Sequence, residues 1–147
     1  MIGSWSARRV FVTPGSVGDS TASYEVVKVT ARAVTINAFV YTIPGGPRAK
    51  IPVPAGRFAY APTVDETNAE VYFVRASRGC GKNVSLRRVA LADLGAAQET
   101  LTSLPEGFDA GGLSLAPNGV NLDLLFTRYS CSKNTAHIFS LPGVVGP

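Results

Sequence analysis

The pattern apolar–x–apolar–small–proline occurs three times in this chain. Its copies are Val10-Phe11-Val12-Thr13-Pro14, Phe58-Ala59-Tyr60-Ala61-Pro62 and Leu113-Ser114-Leu115-Ala116-Pro117. The prolines are spaced by 48 and 55 residues. A recurrence of this length marks a repeat architecture, in which one supersecondary unit buries its apolar face only by stacking on a neighbour. The pattern therefore constrains the scaffold far more than the chemistry.

Each copy continues alike. A polar stretch follows the proline: Gly15 to Ser23, Thr63 to Ala69, and the tight-turn pair Asn118-Gly119. Runs rich in β-branched and aromatic residues come next, at Tyr24–Thr30, Glu70–Ala76 and Leu122–Arg128, and these read as second strands. Third strands are expected at Phe39–Gly45, Ser85–Leu91 and His137–Gly143. Fourth strands are expected at Ala49–Val53 and Glu99–Leu104, with none in the third copy. The closest echo lies between the second and third strands, where Cys80-Gly81-Lys82-Asn83-Val84-Ser85 stands against Cys131-Ser132-Lys133-Asn134-Thr135-Ala136. No helix of useful length is expected, because Gly95 interrupts Leu91 to Gln98.

The fold class is thus all-β, as three antiparallel repeats of up to four strands. Tandem four-stranded units of about 40–50 residues are the blades of a β-propeller. One repeat domain over residues 1–147 divides into blade 1 at about 9–55, blade 2 at about 56–107 and blade 3 at about 108–147, which lacks its last strand. A two-sheet sandwich built from the same hairpins is the competing architecture.

The third copy, from Leu113-Ser114-Leu115-Ala116-Pro117-Asn118-Gly119 through Leu125-Phe126-Thr127-Arg128, resembles the TolB-like (WD40-like) propeller repeat. In that repeat a Phe-Ser-Pro-Asp-Gly turn precedes an apolar strand. The segment from Val40 to Arg48 is similar to the family's third strand and its Gly-Gly turn. The first two copies depart from the turn signature at Pro14-Gly15-Ser16 and Pro62-Thr63-Val64-Asp65. The resemblance implies a non-catalytic interaction module that binds a protein or other ligand through its rim loops, in a periplasmic or extracellular setting. The alternative is a fragment of the propeller of a larger enzyme, such as a serine peptidase or related hydrolase, with catalysis elsewhere.

Three blades are fewer than the four to eight of a closed propeller and leave apolar blade faces uncovered. Residues 1–8 stand where the end of a fourth strand belongs. Two arrangements are expected to cover those faces: two chains close a six-bladed ring as a homodimer, each Ile2–Ser6 segment completing its partner's third blade, or the chain is the C-terminal half of a longer propeller.

Composition supports a core-forming globular chain, with 46% hydrophobic against 16% charged residues. The net charge of +4 is scattered, since Arg8-Arg9 and Arg87-Arg88 are the only adjacent basic pairs. Nucleic-acid binding, which needs cations gathered on one face, is not expected. No run reaches the ~20 apolar residues of a membrane span. The N-terminus lacks the charged-then-apolar layout of a signal peptide.

Chemistry-bearing motifs are sparse, and neither a cofactor nor a metal is expected. Gly112-Leu113-Ser114-Leu115-Ala116 approaches the Gly-x-Ser-x-Gly nucleophile elbow but sits in a strand rather than at a strand-to-helix turn. The one histidine, His137, reads as a strand residue and completes no triad. Gly79-Cys80-Gly81-Lys82-Asn83 lacks both the first glycine and the terminal Ser/Thr of a phosphate loop. Cys80 and Cys131 occupy equivalent loops of neighbouring units, either as a disulfide or as free thiols. The candidate binding residues are Arg78, Lys82 and Asn83 on one hairpin, and Lys133 and Asn134 on the next.

Overall fold

A computed structural model describes residues 9–12, 20–29, 34–42, 48–65 and 67–145. Eleven strands fall in three antiparallel sheets, each a meander in chain order. The first sheet holds β1 (Arg9–Val12), β2 (Ser20–Val29), β3 (Val34–Thr42) and β4 (Arg48–Lys50). The second holds β5 (Arg57–Asp65), β6 (Glu70–Ser77), β7 (Ser85–Ala90) and β8 (Glu99–Ser103). The third holds β9 (Phe108–Asn118), β10 (Asn121–Ser130) and β11 (Thr135–Val145). Three sheets replace the two of a sandwich, and they form an open stack rather than a closed ring. Residues 1–8 and Pro14 lie outside the described residues. Among those described, no helix is long and apolar enough to cross a membrane.

The second sheet is the centre of the stack. Strand side chains alternate between faces, yet Val71, Tyr72, Phe73 and Val74 of β6 are all fully buried, so both faces are covered. On one face Tyr72, Val74, Ala76 and Leu86 pack against Ala110, Leu113, Leu124 and Phe126 of the third sheet. On the other face Val71, Phe73, Val89 and Ala59 pack with Ile51, flanked by Val53, Leu91 and Leu94 from the connecting loops. β2 and β3 of the first sheet run beside β5.

The proline phase is where the expected repeat needs correction. Pro62 does not end its strand: β5 runs on to Asp65, which pairs with Glu70. Ala61 and Pro62 form a bulge opposite Phe73, between the pairs Tyr60–Val74 and Thr63–Tyr72. A bulge is one of the few strand positions that tolerates a residue without an N–H. In β9 the equivalent bulge is Gly112-Leu113, opposite Phe126, and Ala61 and Gly112 share a left-handed φ of 50° and 58°. Pro117 lies elsewhere, paired with Leu122 beside the tight turn. The structural repeat is therefore the bulge and its opposing phenylalanine, not the proline. Ser114 sits within β9, paired with Leu125, in strand and not at a nucleophile elbow. His137 is an exposed residue of β11 opposite Arg128.

Polar ties register the second sheet on the third. The Tyr60 hydroxyl donates to Asp109 Oδ1. Arg88, on the same face, donates to Glu99 Oε2 at 2.7 Å and to the Val144 carbonyl of β11. Burial, reinforced by the hydrogen bond and charge of Asp109, raises the Tyr60 phenol well above its ordinary value. Tyr72 is raised in the same direction, first by burial and then by its 2.7 Å hydrogen bond to Glu70. A phenol whose pKa is higher in the folded state favours folding below its unfolded value and loses that contribution as pH climbs through the folded one. Stability is therefore expected to fall above about pH 10. Tyr60→Phe should cost about 1 kcal/mol at pH 7 and flatten part of the alkaline loss, leaving the share due to Tyr72. Urea unfolding of both proteins at pH 7 and at pH 11 checks this.

Candidate functional site

The hairpins β6–β7 and β10–β11 meet at one end of the stack. Cys80 and Cys131 are bonded there, with Cα atoms 6.0 Å apart. The turn before β9 is wedged between the two hairpins. Gly107 donates its N–H to the Gly81 carbonyl at 3.0 Å, and its own carbonyl accepts from Cys131 N–H at 2.9 Å. Gly81 is obligatory at this crossing. Its φ is +68°, and a Cβ there would stand 2.5 Å from the Gly107 carbonyl carbon.

The sequence echo is conformational. Asn83 and Asn134, one residue after Lys82 and Lys133, both take left-handed φ, at 50° and 54°. Asparagine is among the few residues that enter this region readily. Their side chains then diverge. Asn83 Nδ2 donates to Ser77 Oγ at 3.1 Å, whereas Asn134 Oδ1 accepts from the Tyr129 hydroxyl.

The hairpin cations also differ. Lys82 is ion-paired with Glu106, and this exposed pair holds the Glu106 carboxyl below its usual range, chiefly through the hydrogen bond. Such an exposed pair adds little stability, but it neutralises the lysine. Lys133 is exposed and makes no ion pair among the described residues. Arg78 is exposed at the mouth of a groove of about 410 Å³ between the second and third sheets, lined by Phe58, Tyr60, Ala76 and Asp109. The structure thus gathers all five candidate residues at one end, and among the described residues Arg78 and Lys133 have no ion-pair partner.

A second cationic feature begins beside Asn83, and sequence reading missed it. Arg57 of β5, Arg75 of β6 and Arg87 of β7 line one cleft of about 260 Å³ with Asn83, Ser85 and Ser103. Register explains the convergence. Arg75 is opposite both Ala59 and Ser85, Arg57 is two residues from Ala59, and Arg87 is two from Ser85. All three therefore emerge on the face that carries Phe73 and Val71. Arg88, the sequence neighbour of Arg87, points to the opposite face.

The partners of these arginines are neutral. Arg57 donates to Ser77 Oγ, and Arg75 to Gln98 Oε1 at 2.9 Å. Arg87 donates to Ser85 Oγ at 2.9 Å. No carboxylate pairs with any of the three among the described residues. The guanidinium of Arg75 is pushed below its ordinary value first by burial and then by Arg57. Arg87 is lowered by burial and then by both other arginines. An adjacency count in the sequence cannot see such a cluster, because it is assembled across strands. Pairing the predicted strands in register would have revealed it.

Among the described residues no group of three or more His, Cys, Asp and Glu side chains is placed to hold a metal ion. No protein-family model matches this chain, and comparisons with curated proteins and with solved structures find no match.

The disulfide closes a loop between residues 51 apart in sequence. By chain-entropy reasoning such a crosslink stabilises the fold by about 4 kcal/mol. Replacing both cysteines by serine should therefore lower the unfolding free energy by roughly 2–4 kcal/mol. Reductant should shift the wild type in the same direction and leave the variant unchanged. Denaturant titrations with and without reductant provide the check.

Proposed function

We propose that this chain is a non-catalytic binding module of β-propeller type, with three TolB-like (WD40-like) blades, which engages a protein partner or other ligand through its hairpin end. The observation that carries the reading is the stack itself. Each sheet is an antiparallel meander, and the middle sheet is buried on both faces, by the third sheet on one and with Ile51, Leu91 and Leu94 of the connecting segments on the other. The hairpins of the second and third sheets are bonded through their cysteines. A frame of this kind holds loops rigidly while leaving their sequence free. The disulfide suits the oxidising, periplasmic or extracellular setting that the family resemblance implies.

Continuation of the ring fits the outer face of the third sheet. There Thr127 pairs with Ile138 and Leu125 with Ser140, and Ile138 is 79% exposed. A further blade would stack on this face, supplied by a second copy in the six-bladed dimer or by additional chain in a larger enzyme's propeller. Light scattering on a sizing column tests the first source. A mass of two chains supports the dimeric ring, and a well-folded single chain overturns it.

For partner binding, Lys133→Ala should weaken association several-fold, and Lys82→Ala less, because Glu106 already neutralises Lys82. Both effects should shrink as salt rises. Quantitative affinity capture at two salt concentrations reads them, and an unchanged partner profile in the double variant would retire the hairpin cations as the binding surface.

A further inference from the structure

We infer that the cleft formed by Arg57, Arg75 and Arg87 is a binding site for a tetrahedral oxyanion, the phosphate or sulfate group of a small ligand. Three guanidiniums converge on a cavity of about 260 Å³, and their hydrogen-bond partners among the described residues are neutral. Arginine does not lose its proton in proteins, so the cleft keeps three like charges side by side. Their mutual repulsion is unfavourable to the fold. It is relieved by an anion that accepts from several of them at once.

The lining specifies the anion's chemistry. Guanidinium forks match phosphate and carboxylate oxygens in bidentate fashion. Three of them converge from three different strands, which suits a centre with oxygens projecting in three directions better than a planar carboxylate. Ser85 and Ser103 add hydroxyl groups to the same cavity, and Asn83 adds a side-chain amide. No aromatic ring lines the cleft to stack a base, so a compact charged group fits better than a nucleic-acid strand.

The support is rigid. Arg57, Arg75 and Arg87 are carried by three neighbouring strands whose opposite face is core. Gln98 holds Arg75 through its side chain and lies near Arg87 through its carbonyl, at 3.5 Å. The arginines are thereby oriented before any ligand arrives, which reduces the ordering cost of binding. The three arginines are strand-borne and neither Lys82 nor Lys133 lines the cleft, so Asn83 is the one residue this inference shares with the partner reading.

The test is a titration of the full chain with sodium phosphate and, separately, sodium sulfate, at ionic strength held constant with sodium chloride. Calorimetry and thermal unfolding are read in parallel. Saturable binding at one site per chain is expected, with Tm rising by about 3–6 °C at tenfold excess over Kd. Preference between the two anions distinguishes a phosphoryl from a sulfuryl ligand. Arg75→Gln and Arg87→Gln should each lose at least tenfold in affinity, yet melt at or above the wild-type temperature without anion, because repulsion is relieved.

Ser103→Asp, at an exposed position of β8, provides a variant that keeps every arginine. Its carboxylate should occupy the cleft as an internal counter-ion and abolish anion binding. The inference is overturned if neither anion binds more strongly than chloride, or if binding persists in Ser103→Asp. It is equally overturned if the arginine variants are destabilised whether or not anion is present, which would make the cluster structural.

Discussion

Four consecutive residues of β6, Val71 to Val74, expose no surface to solvent, and the rest of the structure depends on that constraint. With a side-chain period of two, a strand buries four residues in a row only when both faces of its sheet are covered. The second sheet therefore requires cover on both faces. Complete burial of four side chains of this size stabilises the fold by about 6–12 kcal/mol before entropy is counted. That is comparable with the whole net stability of a domain. Separating the stack at either face would expose half of that strand.

Apolar burial is non-directional, so it does not by itself fix how one sheet sits on another. Directional contacts at the interface of the second and third sheets do. Tyr60 reaches Asp109, Arg88 reaches the Val144 carbonyl, and the Gly81–Gly107 crossing seats one hairpin on the next turn. Within the third sheet, Arg128 lies 4.0 Å from the centre of the Phe139 ring and 4.6 Å from that of Phe108, which ties β10 to both of its neighbours. These polar and cation–π contacts line the border of an apolar layer, where an unpaired group would be costly. The disulfide then fixes the hairpin end covalently.

Strand content was legible because alternation and β-branched runs are local signals. Glu70–Ala76, Ser85–Leu91 and Glu99–Leu104 were expected as strands and correspond to β6, β7 and β8 within a residue or two. The Lys-Asn echo was also legible, since Asn83 and Asn134 share a backbone state that few residues adopt. The proline phase was misleading for a physical reason. Proline is accepted both at a bulge, as Pro62 is, and beside a turn, as Pro117 is, so a similar spacing did not mean an equivalent position. Residue pairs distant in sequence were hidden altogether. The pairing of Lys82 with Glu106 spans 24 residues and leaves no local signal in the sequence. Arg57, Arg75 and Arg87 looked scattered because only strand register unites them.

The same register explains why one face of the second sheet carries both core and charge. Toward β5's C-terminal end the face is apolar, with Val71 opposite Val89 and Phe73 beside them. Toward its N-terminal end, with no break in the ladder of β6 and β7, the face turns to Arg75, Ser85 and Arg57. Three guanidiniums with no carboxylate partner among the described residues would push flexible loops apart. Strands whose other face is locked into the inter-sheet core cannot yield in this way, so the repulsion persists as a local field instead of relaxing into solvent. A rigid, dry frame is thus the condition for the cleft, and burial of β6 on both faces supplies it. The charge is tolerated where the packing is strongest, as expected when local instability is retained for binding and offset by the core around it.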